Sequence, residues 1–420
     1  MNRRSFLATT TLAFPAILLS QSPGRLVRVA VVGAAGRGTA HAVELSKLQD
    51  VEVTHICDVD EAHANAAAAT VEKRGAKRPK TIRDFREALE DKIDAISVAT
   101  PNHWHTPAAL LALSAGKHVY LEKLCSHNAR EGELLVESAR KHKRHVQHGT
   151  QRRSWGGIRE AIERLRAGEI GRLLSARAYY FNTRATIGKG QPGSVPAGLD
   201  WSLWQGPAPE KEFRSNYVHY NWHWFWHWGN GELGNNGVHT LDVIRWGLGV
   251  DYPTRVVSGG AKVRYPDDDQ ETPDTNTVTF DFATKSGPVT VTWENRSWAN
   301  RTPTDPKHEI AFYGEKGALY IQGGGYVIHD WKGMEIAKGT APAGDTTHFQ
   351  NFIDTVRGEG KLNAEIEEGH LSTLLCHLGN IAYRTGRTVH FDPAKKKLVP
   401  DATQEKLWSR EYRPGWEPKV

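Results

Sequence analysis

Val27-Arg28-Val29-Ala30-Val31-Val32-Gly33-Ala34-Ala35-Gly36-Arg37-Gly38 is the stretch that decides the fold. An apolar run broken only by Arg28 predicts a buried strand, and residues 39–48 predict a helix behind the glycines. Strand, glycine turn and helix in that order open a dinucleotide-binding unit. Gly33 permits the tight turn, Gly38 lets helix and strand pack closely, and Ala35 stands where a second glycine is usual yet still lets a pyrophosphate approach. Gly36 and Arg37 complete this candidate cofactor set. The helix N-terminus offers free N–H groups and the positive end of its dipole to phosphate.

Working outward, Val51–Cys57 predicts a second strand, and Asp58 closes it twenty residues beyond Gly38. An acid there accepts hydrogen bonds from ribose hydroxyls and repels a 2′-phosphate, which favours NAD over NADP. Arg37, a cation able to pair with that phosphate, leaves NADP open. Helices over about 61–73, 106–115 and 129–142 then alternate with strands over 93–99, 118–121 and 145–147. Such alternation predicts a parallel sheet covered on both faces. After Arg152 the pattern changes. A helix over 158–166 precedes strands over 173–181, 254–264, 276–283, 288–295, 308–314 and 317–322, and helices over 345–357 and 364–385 follow. The fold class is α/β: a Rossmann dinucleotide-binding domain (26–150), then a C-terminal domain (151–390) with a largely antiparallel sheet, then a tail (391–420).

The first residues read differently. Asn2-Arg3-Arg4-Ser5-Phe6-Leu7 places paired arginines before an apolar, Thr/Ala/Leu-rich stretch, the order of a twin-arginine signal peptide. Residues 1–25 are therefore expected to direct export through the twin-arginine machinery to the periplasm or beyond, with membrane anchoring if the segment is uncleaved. These residues hold three arginines and no acid, so half of the net charge of +6 sits there. With no dense Lys/Arg run interleaved with aromatics, no nucleic-acid partner is expected. Three widely spaced cysteines (Cys57, Cys125 and Cys376) make neither a disulfide framework nor a metal site.

Residues 182–235 are rich in Gly, Pro, Trp and His, with little periodicity. Within them, Tyr220-Asn221-Trp222-His223-Trp224-Phe225-Trp226-His227-Trp228 either lines a pocket mouth, where aromatic faces stack on sugar rings, or packs as a domain-core or interface cluster. His223 and His227 have the i,i+4 spacing of a helical metal pair, but alternating aromatics do not predict a helix and no carboxylate partner is evident, so no metal is expected.

Thr100-Pro101-Asn102-His103-Trp104-His105, Glu122-Lys123 and Gly237-Val238-His239-Thr240-Leu241-Asp242, in this order, resemble the Gfo/Idh/MocA oxidoreductase family. The resemblance implies an open C-terminal sheet, sugar or polyol substrates, and a homo-oligomer. It implies cofactor contacts from Thr100, Pro101, Asn102, His105, Glu122 and Lys123, and from Trp204 in a Trp-x-x-Trp-x-Gly-Pro loop. It implies catalytic roles for Lys123 and His239. Leu124 stands where the family's Glu-Lys-Pro motif has proline, and Asn235 where its dehydrogenases often have aspartate. An amide takes no proton, so acid–base work falls on Lys123 and His239. Substrate contacts are expected from Trp104, Gln151, Arg152, Tyr220, Trp222, His223, Asn235, His239 and Asp242, the last either structural or bound to polar substrate groups.

Free NAD is scarce outside the cytosol, so an exported chain is expected to keep its cofactor bound and to return the hydride it takes. Oxidation or reduction of a sugar CH–OH is the first expectation. Glycoside cleavage through transient C3 oxidation and elimination is the alternative. A non-catalytic sugar- or nucleotide-binding protein is the third.

Overall fold

The computed structural model describes residues 25–420. The expected signal segment therefore lies outside the described residues, apart from Arg25.

The first sheet is built from β1 (Val27–Val32), β2 (Val51–Cys57), β3 (Lys80–Ile82), β4 (Ala95–Val98), β5 (His118–Leu121) and β6 (Val146–His148). Its order is β3-β2-β1-β4-β5-β6 and every pairing is parallel. The strand order reverses at β1, so the crevice beyond the carboxyl ends of β1 and β4 is where a ligand fits. The crossovers are α1 (Arg37–Ser46), α2 (Glu61–Lys73), α3 (Arg86–Glu90), α4 (Asn102–Ser114) and α5 (Ala129–His142).

α4 starts four residues before its predicted start because Pro107 is tolerated inside it. A proline removes the hydrogen bond to the carbonyl four residues back. Here that carbonyl, on His103, accepts instead from Nη2 of Arg410 at 2.8 Å.

The remaining elements are α6 (Gly156–Arg166), β7 (Leu173–Thr183), α7 (Trp201–Gln205), α8 (Val238–Leu248), β8 (Arg255–Ala261), β9 (Thr275–Thr284), β10 (Gly287–Arg296), β11 (Trp298–Ala299), β12 (Ile310–Gly314), β13 (Gly317–Gln322), β14 (Gly325–Asp330), β15 (Glu335–Thr340), α9 (Thr346–Arg357), α10 (Ile366–Thr385), β16 (Val389–Asp392) and β17 (Lys397–Leu398). Their strands form one mixed sheet, order β15-β14-β13-β12-β7-β10-β9-β8-β16-β17, with β11 on β7. Only β7 and β10 pair in parallel; the other neighbours are antiparallel. β9 and β10 alternate buried and less buried residues, so one face packs on α6, α8 and α10 and the other stays open.

The sequence boundaries do not follow the packing. α9 lies in the C-terminal half, yet its Phe349, Phe352 and Ile353 are fully buried against Val27, Val29 and Tyr120 of the first sheet. Each buried phenylalanine contributes roughly 1.5–3 kcal/mol. The final residues are no loose tail. Trp416 meets Trp104 edge-on at 5.2 Å, and Arg410 pairs with the buried Glu131 at 2.9 Å. β14 and β15 escape the sequence reading: β15 is the sheet edge and none of its residues is buried, so burial imposes no period-2 signal there, while the short β14 buries only Tyr326 and Ile328. The three cysteines are buried and free. Among the described residues, no helix is long and apolar enough to cross a membrane.

Candidate active site

A cavity of about 470 Å³ opens beyond the ends of β1 and β4. Gly33 sits at its floor with φ 83°, and a Cβ there would lie 2.8 Å from the backbone of Ala99 and Thr100. A Cβ on Gly38 would lie 1.6 Å from the Gly33 carbonyl oxygen, so both positions require glycine. No side chain caps α1, whose N-terminus lies beside Ala35, Gly36 and Arg37 in the cavity wall; the Gly38 N–H donates to the Ala35 carbonyl at 2.9 Å.

Asp58 also lines the cavity, accepting from the backbone N–H groups of Ala34 at 2.6 Å and Asp60 at 2.9 Å. Burial pushes its carboxyl above the usual range. The hydroxyl of Thr100 is buried without a partner at the same cavity. Helix N-terminus, acid at the end of β2 and glycine cradle together fit a dinucleotide: pyrophosphate against Gly36–Gly38, ribose against Asp58. Asp58→Ala is expected to weaken NAD binding about ten- to a hundredfold, as loss of a charged hydrogen-bond acceptor does. Calorimetric titration of stripped protein checks this.

The inner end of the cavity is a charge network. Glu122 is buried and accepts from Arg37 Nε at 2.6 Å, His41 Nε2 at 3.0 Å and the Lys123 backbone N–H at 3.0 Å. Burial opposes its ionisation, yet Arg37 and then His41 hold the carboxyl well below the usual range. Arg37 also bonds Asp345, at the start of α9, which commits most of its guanidinium to protein rather than to a 2′-phosphate.

Lys123 Nζ donates to both the backbone oxygen and Oδ1 of Asn235, each at 2.7 Å. Burial lowers the lysine's pKa below its usual value, against the pull of Glu122. The peptide from Lys123 to Leu124 is cis. His105 sits between the carbonyls of Leu124 and Thr100, the latter 2.7 Å from Nε2, and its ring N–H donates to a carbonyl there, fixing the turn that presents the lysine.

Asn235 lies in a short π-helical turn, Leu233–Gly237, that leads into α8. The residues after it face a second cavity of about 430 Å³, lined by Asn236, His239, Thr240, Arg152, Tyr179 and Glu309 among others. Lys123 and His239 therefore line neighbouring cavities, not one, with Asn235 and Asn236 at the partition. Glu232 braces that partition by accepting from Asn236 at 2.6 Å and from Arg184. Burial, with positive charge from Lys123 and then Arg152, holds His239 well below 6.5, so it is a neutral imidazole. Arg152 pairs with Glu309 at 2.7 Å.

Pro101, Asn102, Trp104, Trp204, Tyr220, Trp222 and His223 all line the first cavity. Trp104 is a wall residue there: its indole N–H donates to the Trp204 carbonyl at 3.0 Å and its ring packs on Phe85 and Trp416. The aromatic segment divides between its two expected roles. Trp228 and Phe225 pack with Tyr217 and Phe213 in a buried cluster, Tyr220 and His223 reach the cavity, and Trp222 and Trp204 belong to both. Trp222 and His223 stack at 3.6 Å, and burial lowers His223 to about 3. His223 and His227 do not converge: they bond the carbonyls of Tyr220 and Pro209 respectively.

Gln151 lines neither cavity, and its side-chain oxygen is buried without a partner. Asp242 lies outside both cavities, fully buried, with Arg153 Nε at 3.0 and 2.9 Å and Ser372 Oγ at 2.7 Å. Of its two expected roles, this is the structural one. Sequence reasoning missed His41, Arg184, Glu232 and Asp345. Only His41 answers a signal in the sequence, since a buried Glu122 carboxylate must find partners elsewhere in the chain; Asp345 pairs with Arg37, and Arg184 with Glu232.

Comparison with known proteins agrees with this geometry. The "Glycosyl hydrolase family 109 protein" of Stenotrophomonas maltophilia (strain K279a) is 37% identical over 133 residues, 29% of each chain. The "Alpha-N-acetylgalactosaminidase" of Shewanella oneidensis is 29% identical over 170 residues, 37% of this chain and 35% of that one. The chain thus spans about a third of the length of the curated relatives it matches. The WlbA dehydrogenase from Bordetella pertussis, solved with NADH and UDP-GlcNAcA, shares the fold: TM-score 0.66 at 20% identity, over 88% of this chain and 98% of that one. The model "Oxidoreductase family, NAD-binding Rossmann fold" matches residues 27–150, and "Oxidoreductase family, C-terminal alpha/beta domain" matches residues 178–418. Matched in both domains, the second over more than half its length, the chain belongs to the Gfo/Idh/MocA oxidoreductase family.

Proposed function

We propose that this protein is an exported NAD-dependent oxidoreductase that acts on a CH–OH group of a sugar or polyol and keeps its cofactor bound. The observation that carries the reading is Lys123: a half-buried lysine of lowered pKa whose Nζ is held by Asn235 at the inner end of the dinucleotide cavity, one partition away from His239, whose pKa is also lowered. A bound nicotinamide supplies hydride acceptance from a carbinol carbon and hydride return. The protein's own groups handle the proton. Lys123 as the neutral amine, the form its burial favours, keeps its two N–H on Asn235, takes the substrate hydroxyl's proton on its lone pair and, now an ammonium, stabilises the alkoxide oxygen. His239, already neutral, accepts or passes on a proton on the far side of the partition. The second cavity, with Arg152, Tyr179 and Glu309 beside His239, holds the body of the substrate.

One observation favours the alternative of glycoside cleavage: the matched relatives bear glycosidase names, and Asn235 gives no carboxylate beside the lysine. There Lys123 and His239 divide two tasks: removing the proton next to an oxidised carbon and protonating the leaving glycosidic oxygen. Purified protein is offered sugars, with nicotinamide absorbance followed, and then aryl glycosides, with phenol release followed. Bleaching or growth without phenol supports the oxidoreductase, and phenol release supports the glycosidase. Inertness to both, with no dinucleotide released on denaturation, contradicts both.

Asn235 also yields a pH prediction. Asn235→Asp puts a carboxylate against the Lys123 ammonium, which favours the charged form. The lysine pKa rises, and the limb of the kcat/KM–pH profile that belongs to it moves alkaline by about 1–3 units. A pH series on the variant checks this.

A further inference from the structure

A third group of residues lies at the Asp58 end of the dinucleotide cavity, remote from Lys123. Asp60 precedes α2, and its Oδ1 accepts from the Ala62 N–H at 2.9 Å. Its other oxygen, Oδ2, lies 3.3 Å from Nε2 of His219. His63, three residues further on in the first turn of α2, sets its ring 4.3 Å from that of His219 at 67°. One ligand atom from each of the three residues falls within 4.8 Å of the others. Among the described residues, the ring nitrogens of His63 have no hydrogen-bond partner. Asp60 is buried and His219 about a third exposed, so the group has a shielded side and an open side.

We propose that Asp60, His63 and His219 bind one divalent cation of the zinc class, which clasps the 182–235 segment to the Rossmann domain across the mouth of the dinucleotide cavity. Two imidazoles and a carboxylate are the donor set zinc takes when three protein ligands leave a fourth position to water. Tetrahedral bonds of about 2.0–2.1 Å require ligand atoms roughly 3.4 Å apart, so side-chain rotation of an ångström or so completes the site.

An ion pair between Asp60 and His219 alone accounts for one contact. It does not account for a second imidazole facing the first with its nitrogens unpartnered. The backbones are already joined here: Asp60 bridges Leu199, and the Asp200 N–H donates to the Val59 carbonyl at 2.9 Å. His219 is the side chain by which the segment adds a ligand to two from α2. Both histidines line the cavity, so fixing them fixes its rim. The consequence for cofactor retention rests on the dinucleotide reading; metal binding does not.

The test uses the full-length holoprotein, freed of metal by dialysis against a chelator and titrated with ZnCl₂ and, separately, CoCl₂. The expected results are one ion per chain, the visible d–d absorption of tetrahedral cobalt, and zinc affinity weaker by about a hundredfold or more in His63→Ala and in His219→Ala. Control His390→Ala, an exposed histidine, keeps wild-type affinity. Zinc also slows dinucleotide release by about tenfold in wild type and not in His219→Ala. Stoichiometric zinc retained by both folded variants, or no uptake by wild type at micromolar metal, overturns the site. Uptake with unchanged release overturns the clasp. A chain that carries no dinucleotide contradicts the proposed function, while the titration still decides the metal.

Discussion

Lys123→Met is expected to lower kcat by about 10²–10⁴-fold while dinucleotide content stays near wild type. Methionine keeps the stem but removes the amine placed to take a hydroxyl proton at the inner end of the cavity. The lysine's contacts to Asn235 are ground-state contacts within the protein, so their loss leaves binding of the nicotinamide nucleotide to Asp58 and the α1 N-terminus intact. The interaction that disappears is one made as negative charge develops on the substrate oxygen, and such a loss falls on kcat and kcat/KM together. Steady-state kinetics on the variant, with bound dinucleotide measured after denaturation, separates this from a folding defect. Unchanged kcat favours the non-catalytic binding protein.

The second large effect is on stability. Asp242→Ala is expected to destabilise the fold by about 3–5 kcal/mol, the range for removing one partner of a buried ion pair. Asp242 is fully buried, and truncation leaves the buried Arg153 with only Glu368, at 3.1 Å, and frees the hydroxyl of Ser372 on α10. Arg153 and, more strongly, burial set the terms here: burial opposes ionisation, yet Arg153 holds the carboxyl below its usual range. Because Asp242 ties α8 to the Gln151–Ser154 turn through Arg153 and to α10 through Ser372, outside both cavities, the unfolding midpoint in denaturant falls with little change in bound dinucleotide per folded chain. A variant of wild-type stability with a raised KM would instead make Asp242 a substrate contact.

The dinucleotide half of the site was legible from local sequence because its requirements are local. Gly33 is required by its positive φ at the end of β1, Gly38 by its approach to the Gly33 carbonyl, and Asp58 follows the end of the next strand. Apart from the short β3 and α3, which went unread, strand and helix order in the first domain followed from hydrophobic periodicity for the same reason. The resemblance to a known family brought forward Lys123 and His239, but not their separation. Which cavity each faces depends on the π-helical turn at Leu233–Gly237, which adds a residue to the helix and turns Asn235 and Asn236 to opposite sides. No periodicity in Leu-Gly-Asn-Asn-Gly announces that. The side-chain partners of Glu122, Arg37 and His41, come from α1, and Arg37 is held in turn by Asp345 at the start of α9, 308 residues further on, so only the folded chain joins them. The Trp/His-rich segment resisted reading because its aromatics serve core and cavity at once, with Trp228 buried and Tyr220 half exposed.

The most direct test of the account is a crystal structure of the holoenzyme with a soaked sugar. The account predicts the pyrophosphate against the N-terminus of α1, a ribose on Asp58, and a carbinol oxygen within hydrogen-bond distance of Lys123 Nζ, with the sugar body extending past Asn235 toward His239. A sugar seated with no hydroxyl near Lys123, or a dinucleotide bound outside the cavity that Gly33 and Asp58 define, would contradict it.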